Sequence, residues 1–183
     1  LDLFYMDLDG AWEDTTGNGI YDHHYGEVDP DIWIGSLPAY NLSRIPEVPF
    51  VAAYLDRIHA FRSGELTLSH RALNSIDDDL VSFEDKWPSD IGYLYGRVVV
   101  EDHPDTTSAS GFVNHLEGEG YELVQVGVHS TSDSHAFFIN GRRNRDYFRY
   151  FHLRDDVEFN AQFYNLFACT VMNMAGRRNL CMG

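Results

Sequence analysis

The sequence predicts an α/β fold in which a mostly parallel sheet is flanked by helices. Two apolar runs, Val124–His129 (VQVGVH) and Tyr164–Cys169 (YNLFAC), have the length of strands and end on His and Cys. Short apolar runs of this kind are typical of parallel strands that are buried on both faces. The segments Pro46–Phe61 and Ser108–Leu116 suit helices instead. Alternation of strands with helices predicts a parallel sheet covered on both faces.

In the amino-terminal half we expect two strands followed by a long helix. The apolar runs Leu3–Met6 and Ile32–Leu37 predict the strands, and an acidic loop separates them. The helix is predicted over Pro46–Phe61, because apolar residues recur at helical spacing and the prolines are confined to the first turn, where they are tolerated. Gly64 follows at a position where glycine commonly ends a helix. Residues 1–90 are expected to form one α/β lobe.

The second half continues the alternation of strands and helices. Strands are predicted at Arg71–Ile76 and Gly96–Glu101, the latter rich in β-branched residues. Two segments are each compatible with two structures. Residues 77–87 are predicted to form a helix or a loop, and residues 133–140 a strand or a turn. The segment 151–163 is ambiguous. Residues 91–183 are expected to form a second α/β lobe, which ends before the domain is complete.

Composition and charge exclude several classes of partner. The 183 residues include 13 basic and 29 acidic side chains, which give a formal net charge of −16. This charge opposes binding to phosphate backbones and anionic membranes and favours cations. The sequence has no apolar run of about 18 residues that would span a bilayer, and its first residues lack the basic and apolar regions of a signal peptide. We therefore expect neither nucleic acid nor a membrane as a partner.

We expect the chain to be a piece of a longer polypeptide that carries two free thiols. It opens on Leu1 rather than Met, and it stops at Gly183 just after an apparent helix start. Cys169 and Cys181 are its only cysteines, which is too few for a disulfide framework. A bridge between them would also occupy the thiol that ends the second apolar run.

An acidic, glycine-rich loop predicts a structural calcium site. Oxygen-bearing residues alternate through Asp14–Asp22 at the spacing of a calcium loop, where Ile20 would contribute its carbonyl oxygen. The expected ligands are Asp7, Asp9, Asp14, Asn18, Ile20, Asp22 and Glu27, with Thr16 and Asp29 as further candidates. The loop is not an EF-hand, because Tyr25 replaces the bidentate Glu of the twelfth position. The alternatives are a surface loop of turn-forming residues and a transition-metal site at His23 and His24.

The two apolar runs also predict a catalytic pair. Active sites of open α/β sheets lie at the carboxyl ends of strands, so neighbouring strands would bring the His129 imidazole and the Cys169 thiol together. A nearby His lowers the pKa of a thiol or accepts its proton, which creates a nucleophile. The alternatives are that Cys169 is a small core residue and that His129 is structural, with His135 competing for the catalytic role.

These motifs, in this order, resemble those of gingipain-like cysteine peptidases, which are relatives of caspases and legumains. The similarity rests on the strand that ends in His129 and on the later strand that ends in Ala168–Cys169. It extends to the acidic loop DLDGAWEDTTGNGIYD, to PDIWIGSLPA after it, and to FRSGEL at Phe61–Leu66. It covers most of the chain and implies a caspase-like α/β fold with a calcium loop.

The resemblance implies a cysteine endopeptidase that acts on peptides or proteins. Cys169 would attack the peptide carbonyl to form a thioester, and His129 would protonate the leaving amine. The backbone amides of Ser130 and Cys169 would stabilise the oxyanion, and Asp133 or Glu101 would orient the imidazole. An acidic, calcium-stabilised domain of this type suits an extracellular or periplasmic setting, where calcium is abundant.

Two departures from the family pattern define the alternative functions. Ser130 stands where the family usually has Gly directly after the catalytic His, and Ser resists the positive φ that Gly adopts. The family's catalytic domain also continues past the Cys with a strand that shapes the specificity pocket, and this chain ends at Gly183. One alternative is therefore a catalytically inactive, caspase-like calcium-binding or interaction module. Another is a hydrolase or transferase that acts on a non-peptide carbonyl.

Overall fold

The structure, a computed structural model, describes residues 2–35, 37, 39, 46–118, 120–139, 143–155, 160–171 and 180. The chain divides into two compact units, Leu1–Leu37 and Pro38–Gly183. The lobe boundary expected near residue 90 falls within a helix of the second unit, and the main sheet of that unit takes strands from both sides of it. No helix in the described part is long and apolar enough to cross a membrane.

The amino-terminal unit contains a short helix and a two-stranded hairpin. Helix α1 spans Asp2–Met6, and strands β1 (Ala11–Glu13) and β2 (His23–Tyr25) pair antiparallel. The acidic loop of residues 14–22 joins these two strands. Among the residues of this unit whose side chains the structure describes, only Asp7 is buried. Among its described residues, this part of the chain therefore has no fully buried apolar side chain.

The strand expected at Leu3–Met6 is wrong, since these residues lie in helix α1. The Asp7 N–H closes the last turn of this helix by donating to the Leu3 carbonyl over 3.0 Å. A run of four apolar residues does not distinguish a buried strand from a helix. Here the chain turns directly afterwards, because the Asp7 carboxylate accepts the Gly10 N–H at 2.8 Å.

The strand expected at Ile32–Leu37 is also wrong, because none of the described residues in that range, 32–35 and 37, lies in a strand. The N–H groups of Asp31 and Ile32 both donate to the Met6 carbonyl, at 2.9 and 3.1 Å. A strand needs a neighbour whose backbone groups pair with it along its length, and a helix end offers a single carbonyl here. The apolar side chains of the segment are exposed, with Trp33 at 87%.

The second unit opens with the predicted long helix, which is confirmed. Helix α2 spans Glu47–Ser63 and begins directly after Pro46. It ends at Gly64, as expected, and the φ of 80° at this residue is the left-handed conformation that glycine adopts without steric cost. Near the end of the helix, the Phe61 ring contacts Phe163 edge-on, with ring centroids 5.6 Å apart.

A four-stranded parallel sheet forms the centre of the second unit. Its strands are β3 (Ala72–Ile76), β4 (Val98–Glu101), β5 (Leu123–Gly127) and β9 (Phe163–Phe167). They lie in the spatial order β4-β3-β5-β9, and all three pairings are parallel. The four strands predicted from apolar and β-branched runs are thus confirmed, with shifts of at most two residues at their ends.

Helices lie on both faces of this sheet. They are α3 (Lys86–Gly92) and α4 (Ala109–Gly118), of which α4 confirms the helix predicted over 108–116. On one face Phe112 of α4 joins the apolar core that contains Leu73 of β3. On the other face Ile91 of α3 packs with Ala72 of the same strand. Adjacent strand residues serve opposite faces because successive side chains of a strand point in opposite directions. The α/β fold class is confirmed in this form.

A small antiparallel sheet follows β5. Its strands are β6 (His129–Ser130), β7 (Ser134–Ile139) and β8 (Asn144–Arg149), and helix α5 (Tyr150–Asp155) comes next. Of the two alternatives for the segment 133–140, a strand or a turn, the structure shows a strand, since β7 covers Ser134–Ile139. The segment 77–87 contains a short 3-10 helix at Val81–Phe83 and the start of α3. The ambiguous segment 151–163 contains most of α5 and the first residue of β9, and its residues 156–159 lie outside the described part.

Strand β9 differs from the fully buried strand that its apolar run predicts. It pairs with β5 on one side, and among the described residues no strand lies on its other side. Phe163, Tyr164 and Phe167 are accordingly 45, 40 and 52% exposed. In the described part of the chain, β9 is therefore an edge strand.

Candidate functional site

The main sheet reverses its direction of winding between β3 and β5. After β3 the chain adds β4 on one side, and after β5 it adds β9 on the other. In open α/β sheets, ligands and catalytic groups collect beyond the carboxyl ends of the strands at such a reversal. The residues found there are Asp77, Asp78 and Asp79 after β3, His129 after β5 and Cys169 after β9.

Strand register brings the two predicted catalytic residues to neighbouring positions. Gly127 of β5 pairs with Phe167 of β9, and the Val128 N–H donates to the Phe167 carbonyl over 3.2 Å. His129 and Cys169 each lie two residues beyond this pair, so they follow the ends of two adjacent parallel strands. The expectation that their two strands are neighbours is thus confirmed.

Both side chains are open to solvent. The Cys169 thiol is free and exposed, and 45% of the His129 side chain is accessible. The exposure of Cys169 argues against a role as a small buried core residue. The ring and the thiol are not hydrogen-bonded to each other, a common situation when no substrate draws the catalytic groups together.

Asp79 holds the imidazole of His129 from the end of β3. Its Oδ2 lies 2.5 Å from His129 Nε2, and only 5% of the Asp79 side chain is accessible. Phe138 contacts the same ring edge-on, with centroids 5.2 Å apart. A carboxylate on one ring nitrogen fixes the orientation and tautomer of an imidazole, which leaves the other nitrogen for proton transfer. Asp79, His129 and Cys169 thus follow the ends of three strands that lie side by side in the sheet, β3, β5 and β9.

The two carboxylates expected to orient His129, those of Asp133 and Glu101, form hydrogen bonds with other residues. Asp133 accepts a hydroxyl hydrogen bond of 2.8 Å within its own turn, and Glu101 pairs with His115 over 3.0 Å. Among the described residues, the carboxylate on the His129 ring is that of Asp79. Both expectations are therefore wrong. Glu101 belongs to β4, which is not a neighbour of β5 in the sheet, and the Asp133 carboxylate is engaged by the Thr131 hydroxyl.

Three consecutive aspartates at the end of β3 have different partners. Asp77 is fully buried, and its two carboxylate oxygens accept the Phe138 N–H at 2.9 and 3.2 Å. Burial raises the pKa of Asp77 to about 7. Asp78 accepts the Thr107 hydroxyl at 2.8 Å, and Asp79 carries the contact to the imidazole. The run of carboxylates directly after a predicted strand marks this edge of the sheet in the sequence, but it does not indicate which of the three contacts His129.

Ser130 contacts both the antiparallel sheet and the segment after Cys169. Its hydroxyl lies 2.6 Å from Nδ1 of His135, and its carbonyl accepts the Thr170 hydroxyl at 3.5 Å. His135 is buried, and this burial lowers its pKa to about 4, so the ring is neutral at physiological pH. The position of His135 inside the antiparallel sheet favours His129 as the catalytic base.

In the amino-terminal unit, part of the predicted calcium ligands lie in the loop between β1 and β2. Asp14 accepts four backbone N–H groups at 2.6 to 3.2 Å, and these hydrogen bonds, above all that from Gly19, lower its pKa. Asn18 accepts the Ile20 N–H at 2.8 Å. Asp22 accepts the N–H and hydroxyl of Thr15 at 3.2 and 2.9 Å. The carboxylates thus hold the loop in a compact turn.

A second group of oxygen ligands consists of Asp7, Asp9 and Asp31, each with an oxygen within 4.8 Å of the others. Asp31 was not among the expected ligands, and Glu27 is not part of this group. Asp7 also contacts the His24 ring at 2.7 Å. Carboxylate oxygens without soft donors are the chemistry that a hard cation such as calcium requires.

Comparisons of this chain with models of known protein families, with curated proteins and with solved structures found no match. The fold and the site define an α/β protein that carries Cys, His and Asp at the carboxyl ends of three adjacent parallel strands. Its function must be inferred from that geometry and from the order of the motifs along the chain.

Proposed function

We propose that this chain is the catalytic part of a calcium-stabilised cysteine endopeptidase of the gingipain-like, caspase-like type. The observation that carries the proposal is the placement of Asp79, His129 and Cys169 beyond the ends of β3, β5 and β9. The order of motifs supports it, since the strand before His129 is followed along the chain by a strand that directly precedes Ala168 and Cys169. The exposed Cys169 thiol supports it as well, because a nucleophile must be reached by its substrate.

In the proposed reaction, the Cys169 thiolate attacks the carbonyl carbon of a peptide bond. The C–S bond forms while the carbonyl π bond breaks, and its electron pair moves to the oxygen. The tetrahedral intermediate then expels the amine, which takes a proton from His129, and a thioester remains on Cys169. Water, deprotonated by His129, attacks this thioester and releases the carboxylic acid and the thiol.

The residues around the pair have supporting tasks in this reaction. The Asp79 carboxylate on Nε2 stabilises the imidazolium form of His129 and leaves Nδ1 for the thiol. The backbone N–H groups of Ser130 and Cys169 donate to the oxyanion. Each such donor contributes about 3 to 4 kcal/mol to transition-state stabilisation in other hydrolases.

Calcium in the amino-terminal unit is part of the same proposal. The oxygen ligands come from the loop of residues 14–22 and from the Asp7, Asp9 and Asp31 group, with Glu27 as an expected further ligand. A segment shorter than about 40 residues usually needs a metal, disulfides or a partner to stay folded. The near absence of buried side chains in the described part of this unit supports a metal in that structural role.

Cleavage of a mixture of denatured proteins tests the proposal without assuming a sequence preference. The chain is incubated with the mixture in the presence of calcium, and new peptide ends are identified by mass spectrometry. We expect cleavage by the native chain and none by Cys169→Ala. Cys181→Ser is the matched control for loss of a thiol and should cleave normally. A mixture left intact by the native chain, or cut equally by Cys169→Ala, would contradict the proposal.

A further inference from the structure

Ser130 faces His135 across the antiparallel pair of β6 and β7. The Thr131 N–H donates to the Ser134 carbonyl over 2.9 Å, so positions 131 and 134 form a hydrogen-bonded pair. Hydrogen-bonded and non-hydrogen-bonded pairs alternate along an antiparallel ladder. Ser130 and His135 therefore form a non-hydrogen-bonded pair, in which the side chains are close and the backbone groups point away from the partner strand.

The backbone groups of Ser130 consequently face away from β7. The Ser130 carbonyl accepts the Thr170 hydroxyl at 3.5 Å, which shows that this side of Ser130 faces the segment directly after Cys169. In an extended residue the N–H and C=O groups point to the same side. The Ser130 N–H thus points to the same side as the Ser130 carbonyl, toward the segment that follows Cys169.

The side chain of Ser130 is held from the opposite side. Its hydroxyl lies 2.6 Å from His135 Nδ1, and His135 is only 2% exposed. The His135 ring packs against Phe112 and Phe148, with centroid distances of 6.4 and 6.0 Å. A ring enclosed in this way keeps its position, so it fixes the hydroxyl that it contacts. A glycine at position 130 would lack this contact.

Thr170 constrains the same residue from the end of β9. Its φ of 51° lies in the left-handed region, which a β-branched residue adopts only when its surroundings enforce it. Backbone strain of this kind is concentrated at active sites and ligand clamps. The hydrogen bond from the Thr170 hydroxyl to the Ser130 carbonyl is one such constraint.

We infer that His135 and Thr170, through their hydrogen bonds to Ser130, are positioning residues that hold the Ser130 N–H in place as an oxyanion donor beside Cys169. We call this set of hydrogen bonds the Ser130 clamp. The inference rests on the proposed peptidase function and extends it by stating how the chain orients this donor with Ser in place of Gly.

Two reagents that react with the same sulfur separate the clamp from the catalytic pair. With iodoacetamide, the Cys169 sulfur displaces iodide, and no oxyanion forms. With p-nitrophenyl acetate, the sulfur attacks the ester carbonyl carbon, and the π electrons move to oxygen. The oxyanion then collapses and expels p-nitrophenolate, so that an acetyl thioester remains on Cys169. Mass spectrometry assigns both modifications to Cys169. The ratio of the two rates therefore reports on oxyanion stabilisation and not on the thiolate population.

We expect Ser130→Ala to slow acetylation of Cys169 on the order of tenfold to hundredfold, because a misplaced donor loses much of its effect. The alkylation rate should stay within about twofold, since alkylation needs only the thiolate. Ser130→Thr retains the hydroxyl and should restore acetylation. Ser134→Ala removes a neighbouring hydroxyl that contacts Thr131 rather than Ser130, and it serves as the matched control.

Variants of His135 provide a second test of the clamp. His135→Asn can place an amide near the position of Nδ1 and should retain acetylation, whereas His135→Leu should lose it. Native acetylation rates in Ser130→Ala, with alkylation still dependent on His129, would overturn the clamp and leave the proposed peptidase intact. Slow alkylation of the native chain that is indifferent to His129→Ala would overturn the proposed function, and the clamp with it.

Discussion

The two ring nitrogens of His129 have different surroundings, and this difference decides what the residue can do. Nε2 contacts the Asp79 carboxylate at 2.5 Å, while Nδ1 is the nitrogen that exchanges a proton with Cys169 in the proposed mechanism. Because only 5% of the Asp79 side chain is accessible, water screens its charge less than it would at the surface. At the scale of single residues, Asp79 is therefore the group that orients the imidazole.

Asp79→Asn is expected to lower kcat/KM for peptide cleavage on the order of 10³- to 10⁴-fold, as loss of the orienting carboxylate does in other hydrolases. The melting temperature should change little, because Asn nearly matches Asp in volume. Asp133→Asn is the matched control, since Asp133 hydrogen-bonds within its own turn. Equal losses in the two variants would exclude a special role for Asp79.

Asp77 predicts a pH dependence of the free energy of unfolding. Burial raises its pKa from 3.8 to about 7, so between these values the folded state holds a proton that the unfolded state has lost. The stability that Asp77 contributes is complete below pH 3.8 and is lost as the pH rises through about 7. Asp77→Asn cannot ionise and still offers an acceptor to the Phe138 N–H. Its stability relative to the native chain should therefore increase across this range.

Denaturant unfolding of the native chain and Asp77→Asn at several pH values measures this difference. Titrating groups remote from Asp77, such as His70, whose pKa is raised by its hydrogen bond to Glu122, act equally in both proteins and cancel. A difference that stays constant with pH would show that Asp77 does not titrate as its burial implies.

At the scale of secondary-structure elements, the proposed chemistry depends on where the strands end. Ile76 of β3 pairs with Gly127 of β5, and Gly127 pairs with Phe167 of β9, so the three strands end at the same level. Asp79, His129 and Cys169 lie only two or three residues beyond these strand ends, so short segments are enough to bring them to the same edge of the sheet. Asp77 then connects this level to β7 through the Phe138 N–H, which fixes the antiparallel sheet beside the site.

Gly127 allows Trp87 to pack closely on the end of β5. A Cβ at this position would lie 2.4 Å from Trp87 Cζ3, and the indole is held by stacking on Phe83 at 4.5 Å and by an edge contact with Phe167 at 5.0 Å. We expect Gly127→Ala to lower the free energy of unfolding by about 1 to 3 kcal/mol through overpacking. Gly96→Ala is the control, because a Cβ there meets no atom within 4 Å. Similar urea midpoints for the two variants would refute the close packing.

At the scale of the whole molecule, we expect removal of calcium to lower the melting temperature. A ligand at a hundredfold excess over its Kd stabilises a protein by about 2.7 kcal/mol, which corresponds to roughly 5 to 10 °C for a chain of this size. Thermal melts with calcium and with EGTA measure the shift, and Asp14→Asn should reduce it. An unchanged melt with EGTA would refute the metal assignment.

The strands of the main sheet, and the placement of His129 and Cys169 beyond two neighbouring strands, could be predicted from the sequence. Apolar runs, and polar residues directly after them, are local patterns. The sequence did not reveal Asp79, since contact with His129 depends on β3 lying beside β5, and spatial order is not a local property. For the same reason Leu3–Met6 and Ile32–Leu37 were misassigned, because a short apolar run does not say which element will accept its backbone hydrogen bonds.

The most direct test of the central claim is alkylation of Cys169 by limiting iodoacetamide at about pH 6 with calcium present, a pH at which an ordinary thiol is almost fully protonated. The native chain is compared with His129→Ala and with His103→Ala, which removes an exposed histidine. We expect fast labelling that collapses only in His129→Ala. Slow labelling that is the same in all three proteins would contradict the account and favour an inactive, caspase-like calcium-binding module.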